Sequence, residues 1–216
     1  MKINLFINFY LDKNLFRQAE LDFSLNSNIK NKLINVIFIF GDDLAISYCK
    51  ENFKIDKLSF FTKEERPTYN DYFSVMDNYP HRINILANSD IYFDNTLLLI
   101  KEQPFIKTNC FALSRWDYVN GEIKHYDEKC SQDCWVFFGN MVKIKDADFS
   151  LGILGCDNRI SYLLKKSNYI VTNPSKSIRC IHFHGSNIRN YIRDEKDDNF
   201  ERIDGPYLFI EPIELN

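Results

Sequence analysis

The sequence predicts an α/β protein with a mostly parallel central sheet flanked by helices. Two observations carry this expectation. Short β-rich apolar runs, among them INLFINFY and LINVIFIF, alternate with helix-like segments through the first half of the chain. That alternation implies right-handed βαβ crossovers and parallel strands. Hydrophobic residues make up 45% and aromatics 15% of 216 residues, enough for one domain with a full core.

Ile3 to Tyr10 reads as the first buried strand. Lys13 to Ser27 carries Leu15, Phe16, Ala19, Leu21, Phe23 and Leu25 among charges and fits a first helix imperfectly. Leu33 to Phe40 is a second strand, ended by Gly41-Asp42-Asp43; Ala45 to Asn52 predicts a short helix and Leu58 to Phe61 a short third strand. Thr68 follows a proline and is placed to cap a helix reaching Tyr79. Ile83 to Ala87 is the fourth strand, with Asn88-Ser89-Asp90 at its carboxyl end. In the second half Cys110 to Tyr118 and Trp135 to Phe138 predict strands, Asp157 to Ser167 a helix, and Ile178 to Phe183 a late strand. Asn187 to Asp204 is charged and reads as an exposed segment; neither a repeat nor a second domain is visible.

A net charge of −3 offers no broad basic surface, so nucleic acid is not an expected partner. Seven glycines argue against a phosphate-cradling loop, and the six cysteines are not spaced as zinc-ligand pairs. The N-terminal apolar run reads as a core strand rather than a signal peptide, and no run approaches the roughly 20 residues of a membrane helix. The expected setting is the reducing cytoplasm, without a transmembrane segment.

Ligands of open parallel sheets bind beyond the carboxyl ends of the strands. That rule places Asn8 to Tyr10, Asp42-Asp43 and Asn88 to Asp90 along one edge. The string INILANSDIYFD therefore ends a buried strand on an acid, which is costly unless something pairs with it. A turn, a salt bridge or a metal ion would each account for Asp90. Other motifs carry two readings as well. Arg66 in RPTYNDYF either closes an exposed Glu64-Glu65-Arg66 cluster or presents its planar fork of donors to an anion. Asp157 in LGILGCDNRI is placed either to cap a helix or to serve as a base. Arg115 and Trp116 in ALSRWD suit either a surface stack or a sugar-binding face. In IHFHGSNIRNY, His182 and His184 alternate onto one strand face, an ordinary pattern in half-exposed strands and also a possible ligand pair. Tyr10 ends the first strand either as a core aromatic or as a stacking platform.

The α/β first half, the arginine ahead of a helix and the strand ending in NSDIYFD resemble glycosyltransferases of the GT-A fold, whose signature is Asp-x-Asp at the end of a central strand. Here the first acid is an amide, Asn88. The resemblance runs collinearly over about residues 1 to 191. It implies a nucleotide-binding half over about 1–95, an acceptor-binding half over about 96–191 and a polar C-terminal segment, 192–216. It implies a nucleotide-diphosphate sugar as donor, a UDP-sugar foremost, and a hydroxyl of a glycan or other molecule as acceptor. Donor contacts fall to Asn8, Tyr10, Arg66, Asn88, Ser89, Asp90, Arg189 and Tyr191. A divalent Mn²⁺ or Mg²⁺ falls to Asp90 and His184, such ions needing few protein ligands. Acceptor contacts fall to Arg115, Trp116 and Trp135, and the catalytic base to Asp157 or, failing that, Asp133. Two alternatives remain at this level: a metal-dependent hydrolase or nucleotidyltransferase using Asp90, Asp157 and His184, and a catalytically silent sugar-nucleotide-binding domain.

Overall fold

The structure, a computed structural model, describes residues 1–119, 121–139, 141, 143–183, 185 and 200–215. Strands β1 (Ile3–Asn8), β2 (Ile34–Gly41), β3 (Leu58–Thr62) and β4 (Ile83–Ala87) interleave with helices α1 (Leu15–Lys30), α2 (Asp43–Asn52) and α3 (Tyr69–Met76). The short β5 (Ile91–Phe93) and α4 (Leu97–Glu102) follow, then β6 (Asn109–Leu113), β7 (Arg115–Val119), β8 (Glu122–His125) and β9 (Cys134–Phe138). Helix α5 (Cys156–Lys166), β10 (Ile170–Thr172) and β11 (Cys180–His182) complete the elements.

Seven strands form the central sheet in the order β10-β6-β9-β4-β1-β2-β3, with only β9 antiparallel to its neighbours. Because successive side chains of a strand point to opposite faces, Ile3, Leu5 and Ile7 meet Leu21 and Leu25 of α1 in one core layer. Phe6, Phe38 and Phe40 meet Tyr69, Tyr72 and Ile160 in the other. Helix α3 starts where the sequence places it: the Thr68 hydroxyl accepts from Asp71 N, and the Asp71 carboxylate accepts from Thr68 N.

Three features depart from the expectations. The run Cys110 to Tyr118 is two strands in two sheets, broken at Ser114, whose N–H donates to Asn173 Oδ1 and whose hydroxyl bonds the Glu128 and Ser131 carbonyls. A second sheet, β5-β11-β7-β8, was not legible, since its strands are only three to five residues long. Residues 200–215, largely exposed as the sequence predicts, are nonetheless tied to the domain: Ile203 N, Leu208 N, Ile210 N and Ile213 N donate to Leu154, Asn158, Lys129 and Asn173 carbonyls. All six cysteines are free, and no helix among the described residues is long and apolar enough to cross a membrane.

Candidate functional site

The strand order runs 3-2-1 and then 4, so the direction of winding reverses between β1 and β4. At such a switch point the flanking connections diverge and leave a crevice beyond the strand ends. A cavity of about 530 Å³ occupies that position. Asn8 and Tyr10 reach it from the end of β1, and Asn88, Ser89 and Asp90 from the end of β4. The Ser89 hydroxyl donates to the Asn8 carbonyl at 2.6 Å and ties the two strand ends together.

Strand direction brings in the next acid. Because β9 runs antiparallel, with Cys134 opposite Ala87, its N-terminal end lies at the carboxyl edge of β4. Asp133 is thereby set beside Asn88: Asn88 N donates to the Asp133 carbonyl at 3.1 Å and Asn88 Nδ2 to Asp133 Oδ1 at 2.8 Å. Asn88 is thus a carboxylate's partner. Asp133 Oδ2 also accepts from Ser131 Oγ at 3.3 Å and Arg115 NH1 at 3.4 Å.

Asp157 stands in the first turn of α5, but the cap residue is Gly155, with φ of 81°. Its carboxylate accepts from Asn158 N at 2.9 Å and from Gln132 N at 3.3 Å. Burial, and then repulsion from the Asp133 carboxylate, push the Asp157 carboxyl up to about 6, against the opposing backbone hydrogen bonds. Gly155 is constrained twice, since an L side chain is strained at that φ and a Cβ would lie 2.9 Å from the Ile203 carbonyl oxygen. Gly155→Ala is expected to cost about 1–3 kcal/mol, read from the midpoint of chemical denaturation.

Asp90 is 6% exposed. Its Oδ2 accepts from Arg17 NH2 at 2.6 Å and lies 3.2 Å from His182 Nε2. Arg17 NH1 donates to Glu20 Oε2 at 2.9 Å, and His182 Nδ1 lies 3.0 Å from Asp117 Oδ1. Burial alone would lower the His182 pKa, but Asp90 and Asp117 outweigh it and raise it to about 9, so both ring nitrogens donate at neutral pH. Arg115 Nε donates to Asp117 Oδ1 at 2.7 Å, which joins this chain of charges to Asp133.

The metal implied by the resemblance does not fit the described donor set. His184, Arg189 and Tyr191 lie outside the described residues. Asp90 is the salt bridge that the sequence held open as an alternative, and no group of three His, Cys, Asp or Glu side chains suited to a metal occurs among the described residues. An ion brought against Asp90 would also stand beside the Arg17 guanidinium. Two like unit charges 4 Å apart repel by roughly 4 kcal/mol at an effective dielectric of 20, and a dication doubles that.

The two tryptophans are placed differently. Trp116 does not line the cavity: its Nε1 donates to the Ser175 carbonyl at 2.7 Å and its ring packs on His125. Trp135 lies at the cavity floor but is 0% exposed and meets Tyr69 edge-on, which leaves no ring face for an acceptor. Arg115 and Arg66 do line the cavity, Arg66 NH1 reaching the Gly152 carbonyl at 3.4 Å. Asp42, placed at the same edge by the strand-end rule, instead caps α2 by accepting from Ala45 N. Sequence reasoning missed Arg17, Tyr126, Arg202, Tyr207 and Phe209, all cavity-lining, and gave His182, which also lines the cavity, no assigned role.

No protein-family profile matches the chain. No curated protein matches it either. Among solved structures the chain is similar to S. aureus TarS 1-349 in complex with UDP-GlcNAc, at 13% identity and a TM-score of 0.55, covering 84% of this chain. It spans 58% of the length of that TarS chain. It is also similar to 4-diphosphocytidyl-2C-methyl-D-erythritolsynthase from Anaerococcus prevotii DSM 20548, at 11% identity and a TM-score of 0.49, covering 87% of this chain and 89% of that one. The likeness to TarS shows that the fold is the GT-A-like one the strand-end motifs imply.

Proposed function

We propose that the chain is a glycosyltransferase that moves a sugar from a nucleotide-diphosphate sugar, a UDP-sugar foremost, to a hydroxyl of a glycan or other acceptor. The observation that carries this reading is convergence. Strand-end Asn8 and Tyr10, Asn88 to Asp90, Asp133 and Asp157 come from distant parts of the sequence and line one cavity at the switch point of a GT-A-like sheet.

In the proposed reaction the acceptor oxygen attacks the anomeric carbon. The bond from that carbon to the diphosphate breaks, its electron pair stays on the diphosphate oxygen, and the acceptor proton passes to Asp157. A carboxyl group held near 6 suits that role, being mostly ionised at neutral pH yet more basic than an ordinary aspartate. Arg115 stacks over Tyr126 at 4.3 Å and, with Phe209, which is 50% exposed, offers the acceptor side flat surfaces for a sugar ring. Mass spectrometry of incubations with UDP-sugars and a panel of glycan acceptors tests the reading. The expected result is acceptor-dependent UDP release with one glycosylated product; donor binding without either would make the chain a silent sugar-nucleotide-binding domain.

A further inference from the structure

The nucleotide-sugar reading raises a question of charge. A departing nucleoside diphosphate gathers negative charge, and the residue standing where the fold family's strand-end acid would offer a metal is already paired with a cation. We propose that Arg17 takes the place of a divalent metal: its guanidinium, held beside the end of β4 by Asp90 and Glu20, faces the donor diphosphate and stabilises the leaving group, and Asp90 is the positioning residue for Arg17 rather than a metal ligand. This rests on the nucleotide-sugar reading and goes beyond it.

Position and chemistry both argue for Arg17. It sits in the first turn of α1, lines the cavity and is 7% exposed, so solvent screens it little. Its NH2 lies 3.4 Å from the Tyr10 hydroxyl and 2.6 Å from Asp90 Oδ2, which sets the guanidinium between the end of β1 and the end of β4. Glu20, one turn along α1, fixes NH1 at 2.9 Å. These contacts and burial hold the planar group between the two strand ends. A guanidinium keeps its charge throughout the working pH range, and its fork of donors matches phosphate oxygens. No proton moves in this role: as the sugar–oxygen bond breaks, the electron pair remains on the diphosphate and Arg17 donates hydrogen bonds to it.

Two substitutions separate this assignment from a metal site because they have different consequences in each. Calorimetric titration would use UDP and GDP, with uridine and guanosine as uncharged controls, in EDTA and in Mn²⁺, with thermal unfolding to check that each variant is folded. The wild type is expected to bind one diphosphate with a Kd that agrees within about twofold between EDTA and Mn²⁺, as no ion contributes. Asp90→Asn removes an anion beside the diphosphate and keeps an oxygen for Arg17, so it is expected to bind several-fold tighter. Arg17→Lys keeps the charge but loses the fork, and is expected to bind diphosphate about tenfold or more weakly while nucleoside affinity is unchanged. A purely structural role would move nucleoside and diphosphate together. Binding that tightens tenfold or more with Mn²⁺, or that weakens in Asp90→Asn, overturns the assignment and leaves the glycosyltransferase reading standing. No binding of either nucleotide in either buffer overturns both.

Discussion

Asp157→Asn is expected to lower turnover by about 10²–10⁴-fold with little change in donor affinity, because it removes the base and leaves the nucleotide contacts in place. Steady-state rates with saturating donor measure this directly. The pH profile follows from the same carboxyl. A base works only when deprotonated, so the wild-type rate should climb as pH rises through about 6 and level off above it. The residual rate of Asp157→Asn should lack that limb. An Asp157→Asn variant that keeps wild-type turnover would transfer the role to Asp133, which shares the cavity.

The second large effect is on stability. Arg17→Ala takes from Asp90 and Glu20, 6% and 5% exposed, the guanidinium that both carboxylates bond, and leaves His182 beside Asp90. Breaking a buried pair by removing one partner costs about 3–5 kcal/mol. For a chain of this size that corresponds to a fall of roughly 10 °C in Tm. Adding Asp90→Asn should recover part of the loss, since it removes one of the two carboxylates that Arg17 bonds. Thermal unfolding of the two single variants and the double variant gives the coupling. Strict additivity would contradict a direct Arg17–Asp90 interaction.

What the sequence makes legible is the part of the fold governed by local pattern. Ile83 to Ala87 reads correctly as a strand because it is a short apolar run between a turn and Asn-Ser-Asp. Thr68 reads correctly as a cap because Pro67 and the apolar face of α3 frame it. Helix α1 fits its pattern poorly for a physical reason. Arg17, Glu20, Ser24 and Asn28 share a buried stripe at helical spacing, and Asn28 Nδ2 donates to the Ile91 carbonyl while its Oδ1 accepts from Phe93 N. A buried polar stripe looks like a solvent face until the partner strand is known.

The same limit governs the site. Asp133 is placed by the antiparallel sense of β9, and His182 by its registers opposite Ile91 of β5 and Asp117 of β7. Neither direction nor register is encoded in a short apolar run. Trp116 and Trp135 share the expectation of an acceptor contact, yet Trp116 packs outside the cavity and Trp135 lines it from a fully buried position. Residue type alone does not say which face of a strand a ring occupies. Arg202, Tyr207 and Phe209 lie in a segment without a strand or helix pattern, tied down by backbone hydrogen bonds to Leu154, Asn158, Lys129 and Asn173 and by Ile203 and Ile210 packing on the core.

The central claim is that the crevice between the ends of β1 and β4 receives a nucleotide sugar. Amide hydrogen exchange of the wild type, with and without a saturating UDP-sugar identified by thermal shift, tests it most directly. The expected result is slowed exchange confined to the segments at 88–90, 130–133 and 152–158. Unchanged exchange there, or protection at some other part of the surface, would contradict it.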